Sequence, residues 1–155
     1  MDGGDVLFTG HEFFVGRSHR TNDEGIAALQ SAFPHLPVTT IDITKNDDAD
    51  AGVLHLKSAC SMCGDGQILT GGNVGLHIAR SIEKASSQRY RITHVEDAAA
   101  SNCVYVNGHL FRRSAQEFPR SAQVLASLQP VQQQQIEASE LAKVDGALTC
   151  CSVLF

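Results

Sequence analysis

The apolar residues of the chain fall into short clusters that return in a fixed order. Val6-Leu7-Phe8 and Phe13-Phe14-Val15 flank the turn Thr9-Gly10-His11, a hairpin pattern. Thr21 stands as an N-cap with Glu24 three residues on, and Ile26, Leu29 and Phe33 recur at helical spacing. Pro34 and Pro37 end that helix, and the β-branched stretch Val38 to Ile43 predicts a strand. After the polar loop Lys45 to Asp50 the order repeats. Val53 to Ala59 and Gln67 to Thr70 predict a hairpin around Gly64-Asp65-Gly66. Gly71-Gly72 opens a helix to about Lys84 that aligns Val74, Ile78 and Ile82 on one face, and Tyr90 to Val95 is a strand.

A third hairpin pairs Cys103–Val106 with His109–Phe111 across Asn107-Gly108, the strongest short turn signal. Pro119 is expected to begin a helix reaching Leu128, and Val131 to Ile136 a strand. A helical turn around Glu140-Leu141 and a last strand, Leu148 to Leu154, complete the pattern. A hairpin–helix–strand unit thus occurs about three times at a spacing of roughly 48 residues, and a fourth is only begun. Repeats of this size make an α/β fold of stacked or radial modules, each needing neighbours to cover its apolar face. Residues 1–155 read as one partial domain of such modules.

Composition narrows the function. With 43% hydrophobic and 19% charged residues, the chain has enough apolar side chains for a packed core. A net charge of -5 and the lack of any basic run argue against nucleic acid as a partner. No stretch approaches the ~18 apolar residues of a membrane span, and Met1-Asp2-Gly3-Gly4-Asp5 lacks the basic and apolar parts of a secretory leader. The five cysteines are odd in number and include the neighbours Cys150 and Cys151, which fits free thiols in a reducing, cytoplasmic setting.

The candidate chemistry centres on Cys150. It begins the first strand of the fourth unit, where strand alternation sends Cys150 and Cys151 to opposite faces. Cysteines in a strand are commonly buried and structural, but a cysteine with a histidine elsewhere is also a candidate nucleophile pair. His55, in Leu54-His55-Leu56-Lys57-Ser58, occupies the first strand of the second unit, so a radial arrangement brings it toward Cys150. Asp2 and Asp5 hold the matching place in the first unit, where a carboxylate can orient an imidazole. His77 and His94, on a helix and a strand, read as structural. Arg20, at a loop-to-helix junction, is either a carboxylate clamp or a solvated surface residue. Cys60-Ser61-Met62-Cys63 lacks the second ligand pair of a structural zinc site.

Several blocks carry a family resemblance: Asp2-Gly3-Gly4-Asp5-Val6-Leu7-Phe8, Arg20-Thr21-Asn22, Leu54-His55-Leu56-Lys57-Ser58, Asn102-Cys103-Val104-Tyr105 and Leu148-Thr149-Cys150-Cys151-Ser152. In these the chain resembles the C-terminal portion of the dimethylarginine dimethylaminohydrolases, in the guanidine-modifying (pentein) superfamily. Lys57 favours this family over the arginine deiminases, which carry an acid there. The resemblance implies a five-module α/β propeller, of which about three modules lie in this chain. It implies hydrolysis of asymmetric dimethylarginine to citrulline and dimethylamine through a cysteine thiouronium. In that reading Cys150 is the nucleophile, His55 the acid/base and Asp2 its carboxylate partner. Arg20 grips the substrate's α-carboxylate, Val144 touches substrate, and Cys103 is a non-catalytic thiol. The resemblance implies no cofactor, zinc as an inhibitor at Cys150, and a small-molecule partner, a methylated arginine. The family's N-terminal region, with guanidinium-binding carboxylates and a flap, is not in this chain, and the loop Lys45 to Gly52 is longer than the family pattern. The alternative is a truncated homologue that binds without catalysing.

Overall fold

Each predicted unit folds into its own three-stranded sheet. The structure is a computed structural model and describes residues 1–44, 53–129 and 132–154. In the first unit β1 (Val6–Phe8) pairs antiparallel with β2 (Phe13–Arg17), and β2 pairs parallel with β3 (Val38–Asp42) across the helix α1 (Asp23–Ala32). The second repeats this with β4 (Cys60–Gly64), β5 (Gln67–Gly71), α2 (Gly72–Ala85) and β6 (Arg91–Val95). The third has β7 (Val104–Val106), β8 (His109–Arg113), α3 (Ala122–Ala126) and β9 (Gln132–Ile136). A tight turn cannot join parallel strands, which is why every unit carries a helix between its last two. A short helix, α4 (Ser139–Ala142), follows. These are the expected propeller modules.

One element escaped the sequence reading. A single turn of 3-10 helix precedes the first strand of every unit: η1 (Gly3–Asp5), η2 (Leu56–Ser58) and η3 (Ala98–Ser101), with η4 (Thr149–Cys151) opening the fourth. The repeat therefore begins with a turn, and η1 and η3 both pack on η2.

Stacking explains why both faces of the sheets are apolar. Phe14 packs with Leu7 and Ile41 of its own sheet, with Val74, Ile78 and Ile82 of α2, and with Ile68 of the second sheet. Its neighbours Phe13 and Val15 point the other way, onto Ile26 and Leu29 of α1. Leu69 and Val95 turn from the second sheet toward Cys103, Leu110 and Leu125 of the third unit. One face of the first sheet is thus covered by its own helix and the other by the next module, at roughly 1.5–3 kcal/mol per fully buried large side chain. A buried carboxylate fastens the first two modules. Glu12, fully buried, accepts from the Ser87 N–H and hydroxyl and from the Tyr90 hydroxyl, at 3.1, 2.9 and 3.0 Å.

Some boundaries differ from expectation. Helix α1 is capped by Asn22, whose side chain accepts from the Gly25 N–H at 3.0 Å, and not by Thr21 with Glu24. Thr21 is unavailable because its buried hydroxyl donates to Asp5 at 2.7 Å. The stretch Val53 to Ala59 is not a strand: Ser58 Oγ accepts the His55 N–H and closes η2, so pairing starts at Cys60. Pro119 does not open α3, because the Ser121 hydroxyl donates to Asp97 at 2.8 Å and holds the preceding residues in turns. Leu148 to Leu154 is not a strand, since residues 149–151 close on themselves as η4. The Asn107-Gly108 turn is as expected, with φ of 50° and 78°, the mirror-image geometry that suits a two-residue hairpin. The expectations for Lys45 to Gly52 and for Val131 lie outside the described residues. Among the described residues no helix is long and apolar enough to cross a membrane.

Candidate active site

Asp2, His55 and Cys150 all belong to the 3-10 turns. Asp2 caps η1, its carboxylate accepting from the Gly4 N–H at 2.9 Å while its own N–H donates to Thr21 Oγ1 at 3.0 Å. His55 holds the capping position of η2. Its Nε2 lies 3.1 Å from Asp2 Oδ2, short of full hydrogen-bond alignment. Arg20 Nη1 approaches the same oxygen at 3.8 Å. The Gly4 N–H, more than any other group, holds the Asp2 carboxyl below its ordinary range; His55 and Arg20 act in the same direction, and partial desolvation opposes them. The imidazole lies flat against Gly4, where a Cβ would stand 2.7 Å from His55 Cγ. Only glycine leaves room for the ring.

A second carboxylate organises this group from below. Asp5 is fully buried. Its Oδ2 accepts from Ser18 and Thr21 hydroxyls at 2.6 and 2.7 Å, and its Oδ1 accepts from the Leu56 N–H at 3.0 Å. Thr21 in turn holds Asp2, Ser18 Oγ accepts from the Arg20 N–H at 3.0 Å, and Leu56 follows His55. One buried side chain thereby fixes the backbone beside Asp2, Arg20 and His55. By sequence Asp5 stands with Asp2 as a carboxylate that could orient the imidazole, but its partners are Ser18, Thr21 and the Leu56 N–H and not the His55 ring. The signal for Asp5 was an acid placed immediately before an apolar strand.

Cys150 and Cys151 are both exposed free thiols. They are not on opposite faces of a strand, because a 3-10 turn sets successive side chains about 120° apart. Desolvation holds the Lys57 ammonium below its ordinary range, while Cys150, Asp2 and Asp5 act in the other direction. Asn102, 2% exposed, joins the two turns. Its Nδ2 donates to the Lys57 carbonyl at 2.7 Å and to Thr149 Oγ1 at 2.8 Å, and its Oδ1 accepts from the Thr149 N–H at 3.1 Å. Among the described residues no hydrogen bond joins His55 directly to Cys150. Sequence reasoning gave Asn102 no role; a polar residue entering an apolar strand was its only sign.

Val144 is 76% exposed in the turn after α4 and belongs to none of the packed clusters among the described residues. A cavity of about 450 Å³ runs along the inner strands, lined by Leu7, Met62, Cys103, Lys57 and Thr149 among others. Asp2, His55 and Cys150 do not line it, so it adjoins the chemistry without containing it. Cys60, Cys63 and Cys103 are buried, and burial pushes all three thiols up, Cys63 to about 12. His77 and His94 are engaged with the Asp42 carbonyl and the Thr70 hydroxyl. Among the described residues no three His, Cys, Asp or Glu side chains converge as metal ligands.

No family model matches the chain. Over 99% of its length it is 31% identical to human DDAH2, of which it covers 55%. It is 32% identical to the N(G),N(G)-dimethylarginine dimethylaminohydrolase of Streptomyces coelicolor, over 99% of this chain and 54% of that protein. A structure of DDAH from Pseudomonas aeruginosa, a cysteine-to-serine mutant complexed with citrulline, matches with a TM-score of 0.75 at 25% identity, over 98% of this chain and 55% of that one. The chain thus spans about half the length of the curated relatives it matches.

Proposed function

We propose that the chain, which is similar to dimethylarginine dimethylaminohydrolases over about half of their length, carries the nucleophile and acid/base half of such an enzyme's site. The reaction is hydrolysis of an N-methylated arginine to citrulline and dimethylamine. The observation that carries this reading is the 3.1 Å approach of His55 to Asp2, beside Arg20 and on the turn clamped to that of Cys150. The Pseudomonas aeruginosa homologue bound to citrulline is a cysteine mutant, which supports a cysteine at the centre of the chemistry.

The roles follow from the chemistry each side chain can do. The Cys150 thiolate attacks the guanidinium carbon and forms a C–S bond. His55, oriented by Asp2, protonates the departing dimethylamine as the C–N bond breaks and leaves a thiouronium. A water then attacks the same carbon, giving its proton to His55. Collapse breaks the C–S bond, releasing citrulline and returning the thiolate. Arg20 offers two parallel N–H donors to the substrate's α-carboxylate, and it already leans on a carboxylate oxygen at 3.8 Å. Val144, exposed in the turn after α4, is the further substrate contact.

Citrulline release from asymmetric dimethylarginine by the purified chain tests the proposal, with Cys150→Ser as the control. Turnover abolished by C150S supports it. If the chain binds methylated arginine without turnover, the non-catalytic binding reading takes its place.

A further inference from the structure

We propose that Asn102 is the positioning residue that sets the Cys150 thiol against His55, an inference that rests on the pairing proposed above. The turn bearing Cys150 is anchored by the buried side chain of Leu148, and its hydrogen bonds to the rest of the molecule are few. Residues 152–154 lie outside any strand, and the backbone hydrogen bonds of η4 are local, from Cys150 and Cys151 back to Ala147 and Leu148 and from Ser152 to Thr149. The Ser152 hydroxyl also turns back, onto the Leu148 carbonyl. Among the described residues, the hydrogen bonds by which 147–154 reach the rest of the molecule go to one side chain, Asn102.

The carboxamide suits this task. It grips Thr149 twice, through the backbone N–H at 3.1 Å and the hydroxyl at 2.8 Å, which fixes the orientation of the turn as well as its position. Its other N–H holds the Lys57 carbonyl at 2.7 Å, two residues after His55. Asn102 also caps η3, so the clamp is fastened to the turn that opens the third module. A buried asparagine that only satisfied its own amide would not need partners one residue from the thiol and two from the imidazole. A side chain with one donor or one acceptor cannot make all three bonds. Aspartate keeps the acceptor for the Thr149 N–H and sets a carboxylate oxygen against the Lys57 carbonyl. Misplacing a reacting group by 1 Å costs about 100-fold in rate, so loosening this clamp lowers kcat far more than it changes KM.

The test reads geometry directly, without turnover. 1,3-Dibromoacetone alkylates a thiolate and then an imidazole within reach, and peptide mass spectrometry reports whether Cys150 and His55 become bridged. The wild-type chain is expected to form that bridge. Asn102→Ala is expected to be alkylated at Cys150 but to lose the bridge at least ten-fold, with its circular dichroism spectrum unchanged. Thr149→Val keeps Asn102 in place, removes one of its three bonds, and is expected to lose the bridge several-fold; it decides the matter if N102A does not fold. A wild-type yield of bridge in the folded variants overturns the clamp while leaving the Cys150–His55 pairing intact. No bridge in the wild-type chain overturns that pairing, and this inference with it.

Discussion

Replacing Asp5 is the most direct way to ask whether one buried carboxylate holds the site's scaffold. Its two oxygens accept from Ser18, Thr21 and the Leu56 N–H at 2.6, 2.7 and 3.0 Å, in full burial. Hydrogen bonds to a charged group are worth about 1.5–3 kcal/mol each and do not add simply. Asp5→Ala leaves the Leu56 N–H without a partner, at about 1–3 kcal/mol, while the two hydroxyls can rotate to other acceptors. The expected total is about 3–5 kcal/mol, a large share of the 5–15 kcal/mol that holds a typical domain together. Asp5→Asn preserves the shape. With its oxygen toward Leu56 and its NH₂ toward the two hydroxyls, which can turn to accept, it is expected to cost about half as much. Urea unfolding measures both: with slopes of about 1–3 kcal/mol per molar, the alanine variant's midpoint should fall by at least 1 M at unchanged slope. A D5A variant within about 1 kcal/mol of the parent would refute the idea that Asp5 organises this region.

Four further outcomes are expected. Gly4→Ala puts a carbon 2.7 Å from His55 Cγ against an ordinary contact of about 3.5 Å, so the ring must shift by nearly 1 Å and citrulline release should fall about 100-fold; unchanged turnover contradicts the cradle. Glu117 is held below the ordinary carboxyl value of 4.5, first by Arg113 and also by the Ala138 N–H, so its stabilisation is complete above that value and is lost as pH falls through the depressed native one. Thermal melts of Glu117→Gln should therefore differ from the parent near neutrality and converge in acid, and a gap independent of pH counts against the pairing. A maleimide at neutral pH should label Cys150 and Cys151 and spare Cys60, Cys63 and Cys103 until the chain is unfolded, as peptide mass spectrometry will report. Zinc should slow alkylation of Cys150 and a chelator should restore it; alkylation indifferent to zinc argues against the metal as a ligand of this thiol.

The repeat was legible because it rests on local chemistry. Asn107-Gly108 takes its mirror-type turn wherever it falls, and the apolar pattern of α2 already names the face that meets Phe14. The site was legible in composition but not in geometry. Leu54-His55-Leu56-Lys57 alternates like a strand, yet the Ser58 hydroxyl captures the His55 N–H and Asp5, far away in sequence, captures that of Leu56. The same long-range capture removed Thr21 from the cap of α1. Asn102 was illegible for a related reason: its partners, Lys57 and Thr149, each lie more than forty positions away, with sequence separations of 45 and 47. Tertiary hydrogen bonds decided these places against local propensity, and they are the places that position the chemistry.

Trapping an adduct shows whether Cys150 forms a covalent bond to a guanidino carbon with His55 as its partner. S-methyl-L-thiocitrulline offers the same carbon with methanethiol as a leaving group, so attack by the thiolate expels methanethiol and leaves a thiouronium on the protein. In His55→Gly, water activation is lost and the adduct should accumulate, giving a mass increase that peptide sequencing assigns to Cys150. No adduct on the folded H55G chain, or an adduct on Cys151 instead, would contradict the account.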